Sequence, residues 1–161
     1  MENNNSRGLN FCGSSSLLTA TGAETVHDTT VALTFAIGGK AYVKSGTNAD
    51  QATPTTDYNT SAAFLPLTAS KAMTIVWAYN SSGAVKCMQG PIVDWNGVAF
   101  GAQGPDFPSV PDDVCPFAYQ VIKGASTVSG NWVFGTGNWN ATGVTSVIQN
   151  VLVLPSRPQI A

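Results

Sequence analysis

Charge is what this chain has least of. Asp, Glu, Lys and Arg together make up 10% of its 161 residues, against about 25% in ordinary soluble domains. Water is therefore met by Ser, Thr, Asn and Gly, a neutral polar surface that is cheap to desolvate, because charges are the expensive groups to bury. Such a surface suits a subunit of an assembly; a secreted β-domain is the other class with this composition. The few cations, Lys40, Lys44, Lys71, Lys86, Lys123, Arg7 and Arg157, are scattered. With a net charge of -2 they form no stripe able to follow a phosphate backbone, which sets nucleic acid aside as a partner.

Metal ligands are equally scarce. His27 is the single histidine, and Cys12, Cys87 and Cys115 show no C-x-x-C spacing. The soft ligands are too few and wrongly spaced for a tetrahedral zinc site, and no cofactor is expected. One disulfide between two of the cysteines is compatible with the sequence; three buried thiols in a protein made in a reducing cytoplasm is the plainer reading. No apolar stretch approaches the ~20 residues of a membrane helix, so no membrane partner is expected. The opening Met-Glu-Asn-Asn-Asn lacks the basic and apolar regions of a signal peptide. The N-x-S/T triplets at Asn4, Asn59, Asn80 and Asn140 read as chance in a chain rich in Ser and Thr.

Catalytic signatures are missing too: no G-x-S-x-G elbow, no glycine-rich phosphate loop, no H-E-x-x-H pair. His27 beside Asp28 falls at the end of a polar segment, whereas a triad needs a rigidly held base; it reads as a solvated residue. Carboxylates for sugar hydrolysis would have to come from Asp50, Asp57, Asp94, Asp106, Asp112 and Asp113, all in expected loops. Glu2 and Glu24, the only glutamates, precede the body. Asp112-Asp113 lacks the alternating oxygen ligands of a calcium loop and reads as a solvated turn. The chain is expected not to be an enzyme.

What the sequence does contain is β structure. Its length suits one domain, and 43% hydrophobic residues indicate a folded interior. Residues 1–28 are polar and weakly periodic, and read as a flexible N-terminal arm; residues 29–161 read as the β-domain with an extended C-terminal tail. Val31, Leu33, Phe35 and Ile37 alternate strictly, then Gly38-Gly39 separates them from Lys40–Lys44, a hairpin signature. Residues 46–61 read as a loop and 62–65 as a strand. Residues 72–79, the turn 80–83 and residues 84–88 make a second hairpin. The Gly/Pro-studded stretch 90–116 reads as a surface excursion holding at most a short strand at 98–100. Residues 117–123 read as a core strand. In the echo Gly130-Asn131-Trp132 and Gly137-Asn138-Trp139, a turn at Thr136-Gly137 would set Phe134 opposite Trp139, with Trp132 on the same face. The apolar run 147–154 ends at Pro155, with residues 144–151 also open to one or two helical turns. The sum is an all-β, single-domain antiparallel sandwich or small barrel with long Gly/Pro-rich loops and extended termini.

The tryptophans are the candidate interface or ligand-stacking residues. Trp95, Trp132 and Trp139 each adjoin Asn or Gly, as tryptophans that stack on sugar rings often do. Core or subunit-interface packing, where Trp is also enriched, is the favoured reading.

Several runs carry a resemblance: Val114-Cys-Pro-Phe-Ala-Tyr119, Ser129-Gly-Asn-Trp-Val-Phe-Gly135, Asn138-Trp-Asn-Ala-Thr-Gly-Val-Thr145 and Leu154-Pro-Ser-Arg-Pro-Gln159. Together with the Gly38-Gly39 hairpin and Pro54-Thr-Thr-Asp57, they resemble small virion proteins of tailed bacteriophages from residue 28 onward. The resemblance implies a non-enzymatic capsid decoration or cement protein, made in the host cytoplasm and carried on the capsid surface of the virion. It implies a homotrimer bound to the major capsid protein, which stabilises the head. On that footing the 1–28 arm would bind the shell and the aromatic sheet faces would self-associate. A carbohydrate-binding module of a phage fibre or attachment structure, stacking sugars on Trp95 or Trp139, is the alternative.

Overall fold

Two glycines in the left-handed region start the clearest element. Gly38 and Gly39 have φ of 57° and 79°, the geometry of a two-residue primed turn that side chains disfavour at both positions. They join β4 (Leu33–Ile37) to β5 (Lys40–Lys44), paired from Leu33↔Lys44 to Ile37↔Lys40. The expected hairpin is there. The structure is a computed structural model that describes residues 10–22, 25–128 and 131–159, and among these there is no helix.

The remaining strands are β1 (Phe11–Cys12), β2 (Leu18–Thr19), β3 (Val26–Thr29), β6 (Asn48–Ala52), β7 (Lys71–Asn80), β8 (Val85–Gln89), β9 (Val93–Asp94), β10 (Val114–Gly124) and β11 (Val144–Asn150). They form three antiparallel sheets: β1-β4-β5, β2-β3-β6, and a central β11-β10-β7-β8 to which β9 adds beside β7. The central sheet ends at β8 and β11 without closing on itself, so the all-β fold is layered rather than a barrel. The second expected hairpin is β7–β8, with Tyr79 opposite Val85.

β7 and β10 are buried on both faces, which is why Ala72–Tyr79 is nearly continuous in apolar residues instead of alternating. Met73, Ile75, Trp77 and Tyr79 face one core, and Val76 and Ala78 the other. The first core is roofed by the two small sheets through Cys12, Leu18, Leu33 and Phe35, and by the loop carrying Trp132, Phe134 and Trp139. The second is covered by the Gly/Pro-rich excursion through Phe107 and Val110 and by the tail through Val151 and Leu154.

Several expectations need correction. Residues 10–22 and 25–28, read as a free arm, belong to the body. β1 pairs with β4, and β2 and β3 pair with each other. Cys12, Leu18, Ala20 and His27 are buried. Residues 1–9 lie outside the described residues. Two-residue strands are too short to show a period, and buried Asn10 anchors by its amide, donating to Val114 O at 2.9 Å and accepting from Gly38 N at 2.7 Å. β6 lies within the expected loop 46–61; as a largely exposed edge paired to β3 it carries no apolar pattern. Residues 62–65 make only the bridge Thr56↔Ala63, and Val98–Phe100 only the bridge Trp95↔Phe100. Pro116 lies inside β10 rather than in the excursion, at a bulge where the register with β7 shifts between Pro116 and Ala118. A bulge is where a sheet tolerates a residue with no N–H to donate. The extra residue also lets Phe117 and Ala118 both join the first core. Residues 144–150 are strand, not helical turns.

Candidate functional site

The 131–139 segment is a turn-rich loop rather than a hairpin, yet it brings the expected aromatic residues together. Phe134 meets Trp139 edge-on with centroids 5.6 Å apart, and Trp132 lies 5.9 Å from Trp139. Phe134 also meets Trp77 and Phe64, at 5.4 and 4.8 Å. The loop is fixed by backbone bonds from Leu67 N to Trp132 O and from Gly137 N to Val133 O, both 2.7 Å. Gly135, at φ 81°, packs so closely on the Pro54 carbonyl that a Cβ could not fit. The two indole N–H groups point inward, Trp132 donating to Asn138 O and Trp139 to Val26 O, each at 2.9 Å. With 5% and 8% of their surface exposed, Trp132 and Trp139 are core residues and present no ring face to a sugar or a neighbouring subunit.

Trp95 is different. It is half-buried beside β9, tilted against Phe100 at 4.8 Å, with the Lys123 ammonium 4.9 Å from its ring centroid and 5.8 Å from that of Phe100. Of the three tryptophans, it alone keeps solvent access together with a cation on its ring.

His27 is buried, not solvated as the sequence suggested. Its ring lies 5.1 Å from that of Trp77, and Nδ1 is 3.4 Å from Thr53 Oγ1. Burial pulls its pKa down to about 4; the nearby Lys44 charge adds to this, and Asp28 opposes it. The Asp28 carboxylate accepts instead from Asp50 N at 2.7 Å and Thr19 Oγ1 at 3.4 Å, so His27 and Asp28 do not form a catalytic pair. Lys44 is likewise buried, its ammonium donating to the carbonyls of Gly46, Thr29 and Val31 at 2.8, 3.4 and 3.4 Å; burial lowers its pKa. Asp50 and Asp94 lie in β6 and β9 rather than in loops, and the carboxylates hold local structure: Asp57 accepts from Asn59 N and Gln89 N, Asp106 from Phe107 N, Asp113 from the Tyr58 hydroxyl, and Asp94 pairs with Lys71. Among the described residues no three His, Cys, Asp or Glu side chains gather as metal ligands.

The feature that stands out is a sheet edge. The β8 side of the central sheet is capped: Cys87 O accepts from Tyr58 N at 2.9 Å, and Gln89 N donates to Asp57. On the opposite side, β11 is the last strand. The bond from Val151 N to Phe117 O at 2.9 Å sets the alternation of the antiparallel pair, so the N–H and C=O of Ser146 and Ile148 face away from β10. Edges are usually blunted by charge, Pro or a bulge. β11 has none of these, and no charged residue occurs from Gly124 to Ser156; its C-terminal end is met by β2, where Leu18 N donates to Asn150 Oδ1 at 2.8 Å. Beyond it, Leu152 and Val153 are 49% and 51% exposed, with Phe11 at 46% alongside, because Cys12 N donates to Leu152 O at 2.9 Å. Sequence reasoning missed this surface. The uncharged run was the available signal, and Phe11 was hidden by assignment to the arm. Comparison of the chain with family models, with curated proteins and with solved structures finds no match in any of the three.

Proposed function

We propose that this chain is a non-enzymatic structural protein that decorates or cements a bacteriophage capsid, binding the major capsid protein and stabilising the head. The observation that carries the reading is the charge-free β11 edge continuing into exposed Leu152, Val153 and Phe11. A neutral strand edge with an apolar extension can add to another sheet or pack on another subunit without desolvating charge. The resemblance of the 114–119, 129–135, 138–145 and 154–159 runs to small virion proteins supplies the setting. In this reading copies associate, as a trimer, through the β11 surface rather than through the buried Trp132 and Trp139.

The test is to sediment the native source particles and count copies of this chain. Hundreds per heavy particle, scaling with the main shell protein, are expected; a handful or none overturns the capsid role. In the isolated protein, Ser146→Lys places a charge on the edge and should shift the assembly to monomer, whereas Ser146→Ala, which equally removes the acceptor of Gln120 Nε2 without adding charge, should keep the oligomer. Retention of the oligomer in Ser146→Lys would remove β11 from the interface.

A second reading rests on Trp95. Its half-exposed ring suits a sugar-stacking site on a fibre or attachment structure. A glycan-induced fluorescence shift lost in Trp95→Ala would favour that reading, and silence across a broad sugar panel would leave the capsid role in front.

A further inference from the structure

Two of the three cysteines meet although they are 103 positions apart in sequence. The Cys12 and Cys115 sulfurs are 3.5 Å apart, both buried, and both are reduced. Cys12 ends the two-residue β1 opposite Phe35, and Cys115 is the second residue of β10, opposite Tyr79. Cys87 is buried on β8, opposite Trp77. A sulfur–sulfur bond is about 2.05 Å long, so the pair needs to close by roughly 1.5 Å. β1 is the element more able to supply that movement: it is a two-residue strand paired to β4 on one side and held on the other by the bond from Cys12 N to Leu152 O, whereas the eleven-residue β10 is laddered between β7 and β11.

We propose that Cys12 and Cys115 are an oxidative cross-link site, closed by a small external disulfide, that ties the first described strand to the central sheet. In the closed fold the thiols hydrogen-bond each other. That bond, and then burial, hold the Cys12 proton tightly, while Cys115 is drawn down as the acceptor. Reaction therefore passes through fraying of β1, which exposes Cys12. Its thiol loses a proton, and the sulfur attacks the external disulfide, forming a mixed disulfide and expelling one thiolate. As β1 reseats, the deprotonated Cys115 sulfur attacks Cys12 and expels the second. Two protein thiols give up two electrons, the external disulfide accepts them, and the two protons end on the released thiols. The pair stays open in a reducing compartment and closes in an oxidising one.

The full chain, incubated with oxidised or with reduced glutathione, is denatured, alkylated and mapped by mass spectrometry. After oxidation we expect one alkylated thiol per chain, at Cys87, a linked Cys12–Cys115 peptide, and a rise in Tm on the order of 10 °C from the long closed loop. Three alkylated thiols, a glutathione adduct that persists, or a link involving Cys87 would each overturn the assignment. Cys87→Ser should oxidise as the native chain does. Cys12→Ser should lose both the link and the gain in Tm; a gain that survives in it would show that the stabilisation has another origin.

Discussion

The two faces of the central sheet are covered by different means. The first is roofed by paired strands and an aromatic loop, with ring contacts running from Trp77 to Phe134, on to Trp139 and then to Trp132. The second is roofed by chain without strands, residues 101–110 of the Gly/Pro-rich excursion and the tail from residue 151, held by contacts such as Phe107 edge-on to Tyr119 at 5.1 Å. Paired strands satisfy their backbone groups internally and hold side chains rigidly. A loop roof has fewer such constraints and can settle into a void. The first face should therefore be the stiffer of the two and the less tolerant of change.

The sharpest test is truncation. Trp77→Ala should cost about 3–5 kcal/mol in urea unfolding, because the rings against it, His27 on β3 and Phe134 on the hydrogen-bonded 131–139 loop, are held in place and cannot collapse into the gap. On the other face Phe107→Ala should cost about 2 kcal/mol, less than the usual aromatic value, since the excursion can close over it. Equal losses would break the comparison.

Protonation probes the first face again. His27 has a pKa of about 4 in the fold against about 6.5 when unfolded. Above that unfolded value it is neutral in both states and contributes nothing to pH dependence. As pH falls from about 6.5 towards 4, only the unfolded chain takes up the proton, and stability declines by on the order of 3 kcal/mol before levelling off. Urea midpoints across this range should show the decline, and His27→Gln should flatten it. The smallest effect belongs to the tail. Tyr119→Phe removes the hydroxyl that accepts from Gln159 N at 2.9 Å, for a loss of about 1 kcal/mol and faster hydrogen exchange at Gln159.

These faces were not equally legible in the sequence. Hairpins β4–β5 and β7–β8 could be read because each turn signal lies between residues of clear β character. The aromatic cluster could be read as a group but not as a geometry: Gly135 and Gly137 turn the chain within the loop, so the rings gather without strand pairing. β1, β2 and β6 escaped because very short or polar strands owe their pairing to partners distant in sequence, and no local period records that. His27 misled for the same reason, since its burial depends on Trp77 and Thr53. The β11 surface was half legible. Its lack of charge is written in the sequence, but which strand ends the sheet is a matter of topology.

The position of β10 between β7 and β11 bears on synthesis. A nascent chain that has emerged only to residue 143 can pair β10 with β7, yet leaves its other edge bare and the second core without Val151 and Leu154. β1 has by then emerged and can pair with β4, but its bond to Leu152 O must wait. The half-built protein is the one most at risk of pairing with a neighbour on the same message, and a ribosome pausing before residue 144 would prolong that exposure.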